Sequence, residues 1–260
     1  MTDREQKIED MPLRLQSRDT DWEAIWRRDR GGVLAAGPST RTRIRLALRL
    51  LRQYGAPALS LLDVGCGSGL LLARAAKTGV CEQCAGSDVA GAAAEAARAA
   101  YPQFTFHIFD IQKEHIPHAR FDAITCLATL DMVQDDRAAL AHMAAMLASG
   151  GRLILCVQHN PAYWSKLDDL HAWRRYTLED LDTLCAAAGL RLIHYFSWGW
   201  PMYTWYYKIL ERTREGTYQR SFRSFWERTL ATIAYGLFFF DDLFVWSGKG
   251  RQLFAVFEKQ

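Results

Sequence analysis

The stretch Leu61-Leu62-Asp63-Val64-Gly65-Cys66-Gly67-Ser68-Gly69 constrains this chain more than any other. Leu61, Leu62 and Val64 form an apolar run suited to a strand buried on both faces. The three glycines remove Cβ atoms where the backbone must turn tightly. The following Leu70 to Lys77 has helix-forming composition, so the turn opens a helix. The free N–H groups of that helix start then face whatever lies beyond the strand.

The spacing of this turn separates it from another nucleotide motif. A dinucleotide fingerprint needs G-x-G-x-x-G or G-x-G-x-x-A. Here Leu70 stands at the last position, and the glycines run G-x-G-x-G after an acid, Asp63. Asp63-Val64-Gly65-Cys66-Gly67-Ser68-Gly69 resembles the first motif of the class I S-adenosylmethionine-dependent methyltransferases. The resemblance implies that Gly65, Gly67 and Gly69 carry the methionine end of S-adenosyl-L-methionine. It also implies that Asp63 helps hold the cofactor's ammonium group, directly or through water. The alternatives from other classes are an NAD-dependent oxidoreductase and a catalytically idle cofactor-binding protein.

Two further strands end in acids. Gln83 to Asp88 reads as a short second strand, with Asp88 nineteen residues past Gly69. A carboxylate there can accept hydrogen bonds from both ribose hydroxyls, a spacing that NAD shares. Phe104 to Asp110 reads as a third strand. By resemblance, Asp110 and the Ile111 backbone meet the adenine, Val89 flanks the nucleoside, and Leu127 borders the cofactor at the end of a fourth strand, Phe121 to Leu127. His107 lies among apolar neighbours and reads as a packed histidine.

Open α/β sheets bind ligands beyond the carboxyl ends of their strands. That places the candidates for a general base: His159 after a fifth strand (Arg152 to Val157), Asp131 after the fourth, and Tyr176. Many relatives carry a histidine near the Asp131 position and this chain does not, which leaves a base open. His171-Ala172-Trp173-Arg174-Arg175-Tyr176 resembles a short element of bacterial methyltransferases that often act on glycans or lipid-linked intermediates. A helix-entry loop with solvated arginines is the plainer reading. Thr177-Leu178-Glu179-Asp180 has capping-box form and starts a helix ending at Gly189.

The resemblance implies an α/β, Rossmann-like, doubly wound sheet of seven strands in the order 3-2-1-4-5-7-6, one of them antiparallel. The chain divides into an N-terminal arm and lid helix (1–40), a core (41–198), a helical insert (199–248) and a final strand (249–260). Trp22, Ile25 and Trp26 share one helical face, as a lid or as a helix packed on the core. The insert is far longer than an ordinary connection. Of 32 aromatic residues, 22 fall between Tyr163 and Trp246, so the insert is aromatic-rich. Phe222, Phe225, Trp226, Leu230, Ile233, Leu237 and Phe240 follow helical spacing, which predicts an amphipathic helix. It can be a cap on the sheet, a wall of an apolar acceptor pocket, or a face resting on a membrane. Asp241-Asp242 and the short apolar runs argue against a transmembrane span.

The chain has 260 residues, half of them apolar, and a net charge of +3, enough for one large core without marking nucleic acid as a partner. No Asn/Asp-Pro-Pro-Tyr/Phe element follows the fourth strand. The acceptor expected is an apolar, amphiphilic or glycan/lipid-linked small molecule. A polar N-terminus without a signal peptide and six scattered cysteines predict reduced thiols in a cytoplasm, with peripheral contact at the inner membrane face as one reading of the insert. Cys81-Glu82-Gln83-Cys84 is a lone CxxC without the further ligands a zinc site needs, so no metal is expected.

Overall fold

A computed structural model describes residues 20–29, 37–55, 59–159, 174–212 and 225–260. The polar arm before Thr20, Gly31-Gly32, Asn160-Pro161, His171 to Trp173 and Phe222 lie outside these described residues.

The elements run α1 (Trp22–Asp29), α2 (Pro38–Tyr54), β1 (Leu59–Val64), α3 (Leu70–Lys77), β2 (Cys81–Asp88), α4 (Gly91–Ala100), β3 (Thr105–Ile108), β4 (Phe121–Leu127), a 3₁₀ turn (Leu130–Met132), α5 (Asp136–Met146), β5 (Leu147–Gln158), α6 (Leu178–Ala187), β6 (Leu190–Trp198), α7 (Met202–Arg212), α8 (Phe225–Leu237), a 3₁₀ segment (Phe238–Phe244) and β7 (Gln252–Lys259). They build one seven-stranded sheet in the order β3-β2-β1-β4-β5-β7-β6. The first five strands are parallel, and β7 runs antiparallel between β5 and β6. The expected order and the single antiparallel strand are both present.

The continuous apolar strands follow from burial on both faces. Leu61 faces one core with Leu46, Leu50 and Leu51 of α2 and Leu72 of α3. Its neighbour Leu62 faces the other with Leu140 and Met143 of α5 and Leu181 of α6. Pro38 opens α2, where its missing N–H costs no hydrogen bond. Thr177 and Asp180 form the expected capping box of α6. Helix α5 stops at Met146, so Leu147 belongs to β5 and pairs with Phe121.

The cysteine expectation needs correcting. Cys66, Cys126, Cys156 and Cys185 are free and buried, but Cys81 and Cys84 form a disulfide. The register against β1 skips Glu82, pairing Leu59 with Cys81 and Ser60 with Gln83. This irregularity brings the two Cα atoms to 6.1 Å, too close for regular strand residues three apart.

The insert is fastened by aromatic and acidic groups. Trp198, Tyr203 and Phe238 are almost fully buried and pack with ring centroids 4.9–5.8 Å apart. Asp241 accepts the Met202 and Tyr203 amides at 2.7 and 2.8 Å, satisfying the start of α7. Asp242 binds Arg45 of α2 through both oxygens and also accepts the Trp198 indole N–H. On α8 the inward residues are Ala231, Ala234 and, just beyond, Phe238, whereas Trp226, Leu230, Ile233 and Leu237 face solvent. The apolar face expected from the spacing is therefore turned outward, and α8 meets Arg41 of α2 through Thr232 and Tyr235. Among the described residues no helix is long and apolar enough to cross a membrane.

Candidate active site

The strand-to-helix turn after β1 is pinned to the end of β2. The Gly65 and Cys66 amides donate to the Ser87 carbonyl at 2.8 and 2.9 Å, and the Gly69 amide returns to the Cys66 carbonyl. Gly65, Gly67 and Gly69 all have positive φ, which a side chain would strain. Space is also closed: a Cβ at Gly65 would overlap Thr129, and one at Gly67 would sit 2.7 Å from the Trp26 ring.

Beyond these strand ends lies a cavity of about 400 Å³, within the range of small-molecule sites. Asp63, Gly65, Gly67, Asp88, Val89, Asp110, Ile111 and Leu127 all line it; Gly69 does not, and instead caps α3. Three acids from the ends of β1, β2 and β3 thus meet at one cavity. Trp22 and Trp26 of α1 also line it, and Glu23 fixes that helix by accepting the Ala92 amide at the start of α4.

The acids sit in different environments. Asp63 is 5 % exposed, and burial pushes its carboxyl up to about 7. The Thr125 hydroxyl, donating to Asp63 at 2.6 Å, lowers it, while the Asp88 charge raises it. Asp88 is also raised by burial, against the hydrogen bonds from Ala90 and Gly67. At Asp110 burial raises the carboxyl, but hydrogen bonds from Gln112 and Lys113 outweigh it and hold it low.

None of the three candidate bases is among the residues lining the cavity. His159 is half-buried at the end of β5, its Nδ1 2.7 Å from the Tyr176 carbonyl. Asp131, in the 3₁₀ turn after β4, is fully buried, and neither carboxylate oxygen has a hydrogen-bond partner among the described residues. Burial raises it to about 6, against the charges of Arg43 and Arg175. Tyr176 is buried at the start of α6. Its hydroxyl donates to Asp136 at 2.8 Å, and burial and that carboxylate push it well above the ordinary phenol range. Arg174 pairs with the same Asp136 and donates to the Gln134 carbonyl, so it is not a solvated loop arginine.

Sequence reasoning missed Thr125, Thr129, Arg43 and Gln112. Thr125, a lone hydroxyl in the apolar run of β4, was the one visible signal, since a fully buried hydroxyl needs a partner. No residue of the insert lines the cavity among the described residues.

The sheet order, the glycine turn and the acids at three successive strand ends together define a Rossmann-like nucleoside-binding protein with methyltransferase topology. The chain belongs to the methyltransferase domain family, whose model matches residues 38–195. An uncharacterized methyltransferase of Mycobacterium bovis is 31% identical over 112 residues, 43% of this chain and 57% of that protein. The ubiquinone biosynthesis O-methyltransferase of Alkalilimnicola ehrlichii is 35% identical over 111 residues, 39% of this chain and 42% of that protein. The chain spans about half the length of the curated relatives it matches. In fold it is similar to a chain in the complex of the Haloferax volcanii Trm112 methyltransferase activator with a methyltransferase (TM-score 0.62, 14% identity, 92% of this chain and 97% of that one). It is also similar to the [4+2]-cyclase SpnF (TM-score 0.59, 19% identity, 83% and 81%).

The residues present suit S-adenosyl-L-methionine: a buried carboxylate at Asp63 with no cationic partner among the described residues for an ammonium, and acceptor oxygens at Asp88 and Asp110 for hydroxyl and amino donors.

Proposed function

We propose that this protein transfers a methyl group from S-adenosyl-L-methionine to an apolar, amphiphilic or lipid-linked small-molecule acceptor. The observation that carries the reading is the convergence of Asp63, Asp88 and Asp110 on one cavity beside the glycine turn. When bound, the cofactor supplies an electrophilic methyl on a sulfonium. Asp63 receives the ammonium, Asp88 the ribose hydroxyls, and Asp110 with the Ile111 backbone the adenine; Val89 and Leu127 flank the nucleoside. Gly65 and Gly67 allow the turn's backbone to come close, and Gly69 sets the start of α3.

For an in-line displacement the chain's own tasks are to orient the acceptor and to exclude water. Trp22 and Trp26 close one side, and Met132 and Val133 supply an apolar wall. These surfaces support an apolar acceptor. His159 is the proposed base for an acceptor that must lose a proton, reaching it through one water or after a shift of the β5 end. Unchanged turnover in His159→Ala removes it from that role. The outward apolar face of the insert supports peripheral membrane contact.

The SpnF likeness shows that the fold alone leaves the reaction open. The test is a thermal-shift comparison of S-adenosylhomocysteine, S-adenosylmethionine and NAD, followed by labelled methyl transfer to a panel of apolar phenols and amines. A ligand at ~100 times its dissociation constant stabilises by about 2.7 kcal/mol. Shifts with both adenosyl-sulfur ligands and none with NAD are expected. A shift with NAD alone overturns the reading.

A further inference from the structure

The outward face of α8 is not a scatter of exposed apolar residues. Trp226, Leu230, Ile233 and Leu237 recur at intervals of four, three and four, which keeps them on one side of an α-helix. Phe240 and Leu243 continue through the 3₁₀ segment at intervals of three, the face period of that helix. All six are exposed, Trp226 by 73 %. The 13 residues of α8 alone present a strip about 20 Å long. Trp246, 85 % exposed, follows three residues later, its indole N–H satisfied by the Leu243 carbonyl.

We infer that this strip is a docking face for the surface of an anionic lipid bilayer. Tryptophans with Leu, Ile and Phe along one side of a helix suit the boundary between headgroups and acyl chains. The charges suit anionic headgroups. Arg228 and Lys249 are exposed, and Arg41 stacks on Tyr235 beside the strip, whereas the charge of Arg45 is taken up by Asp242. Beside the strip the described cations Arg41, Arg228 and Lys249 stand against the exposed acid Glu227, a balance that favours an anionic surface. The strip is also braced on the cavity's own frame. Arg41 reaches Thr232 of α8, while Thr40, Arg43 and Ile44, on the same helix α2, line the cavity. Docking therefore engages an element joined directly to the helix that lines the cavity. Delivery of a lipid-soluble acceptor rests on the methyl-transfer reading; the docking does not.

The test is co-sedimentation of the full chain with vesicles of phosphatidylcholine alone and with roughly 30 % phosphatidylglycerol, at about 0.1 M and about 0.5 M salt. Binding to the anionic vesicles, weakened by salt, is expected. Leu230→Asp/Ile233→Asp should reduce it by about tenfold or more. These positions are exposed, so the variant should keep its melting temperature and its thermal shift with S-adenosylhomocysteine. Trp246→Ser, outside the helix, should weaken binding in the same direction. No sedimentation with anionic vesicles overturns the inference. So does a dimer in sedimentation equilibrium that the double variant abolishes while vesicles leave the protein unbound, which would assign the strip to a second copy of the chain. Vesicle binding without any adenosyl-ligand shift would overturn the methyl-transfer reading and leave the docking face standing.

Discussion

Asp88 Oδ2 accepts the Gly67 amide at 2.9 Å, so the acid at the end of β2 holds the middle of the glycine turn in place. Its other oxygen accepts the Ala90 amide at 3.0 Å. A carboxylate has about four acceptor positions, so both oxygens keep capacity on the cavity side. One residue thereby shapes the turn and remains able to receive hydroxyl donors.

Asp88→Ala should weaken S-adenosylhomocysteine binding by roughly 1.5–3 kcal/mol, the worth of hydrogen bonds to a charged group. Asp88→Asn keeps the shape, can accept through only one atom, and should fall between. Titration calorimetry reads both. Equal affinity in wild type and Asp88→Ala would sink the ribose assignment.

Gly67 has φ +51°, and a Cβ there would lie 2.7 Å from the Trp26 ring. Gly67→Ala should therefore displace α1 from the cavity mouth and weaken ligand binding, besides the roughly 1–2 kcal/mol strain of a left-handed alanine. Adding Trp26→Ala removes the clash but not the strain. The double variant should recover part of the affinity that Gly67→Ala loses relative to Trp26→Ala alone. A double-mutant cycle by calorimetry that shows strict additivity would mean that Trp26 does not pack on the turn in solution.

Arg45 and Asp242 meet through two hydrogen bonds of 2.6 and 2.9 Å, with both side chains about one-fifth exposed. Asp242→Ala strands the Arg45 guanidinium and the Trp198 indole N–H together. The expected loss is about 1–3 kcal/mol of unfolding free energy, discounted from a fully buried pair because water reaches both groups. Urea unfolding followed by tryptophan fluorescence measures it. A loss under about 0.3 kcal/mol would mean that the insert is held by its aromatic packing alone.

The glycine turn and the strand-end acids were legible because each is a local demand: positive φ needs glycine, and a parallel strand brings its last residue to one edge of the sheet. The orientation of α8 was not. Periodicity at 226, 230, 233 and 237 defines a face but not the side on which the core lies. Here the buried side carries Ala231 and Ala234 instead, with Phe238 just beyond them. Tyr176 and Arg174 looked chemical because their partner, Asp136, lies some forty residues upstream and joins them only in the folded chain. Asp241 and Asp242 looked like breaks in an apolar segment, but they hold the insert to the core.

Asp63 gives the stability a pH dependence with a definite sign. Its carboxyl is raised from 3.8 to about 7, first by burial and further by the Asp88 charge, against the Thr125 hydrogen bond. The folded protein therefore holds a proton that the unfolded chain releases near the ordinary carboxylate value. This contribution is fully present below that value and is lost as pH rises through about 7. Between about pH 5 and about pH 8 the loss from this one group is on the order of 2–3 kcal/mol, at about 1.4 kcal/mol per unit. Asp88, raised by burial, and Asp131 and Asp241, each raised to about 6 by burial, add losses of the same sign. Asp63→Asn keeps the shape and the Thr125 contact but cannot ionise. Urea unfolding across this range should show a shallower decline in the variant, the difference isolating Asp63 from the other three. Ligand affinity should run the opposite way. An ammonium placed against Asp63 favours the ionised carboxylate, so S-adenosylhomocysteine should bind more tightly to the wild type as pH rises toward about 8, by roughly tenfold per unit at most. Asp63→Asn should lack that gain. A variant that keeps it would move the ammonium away from Asp63 and leave the residue as a buried partner of Thr125.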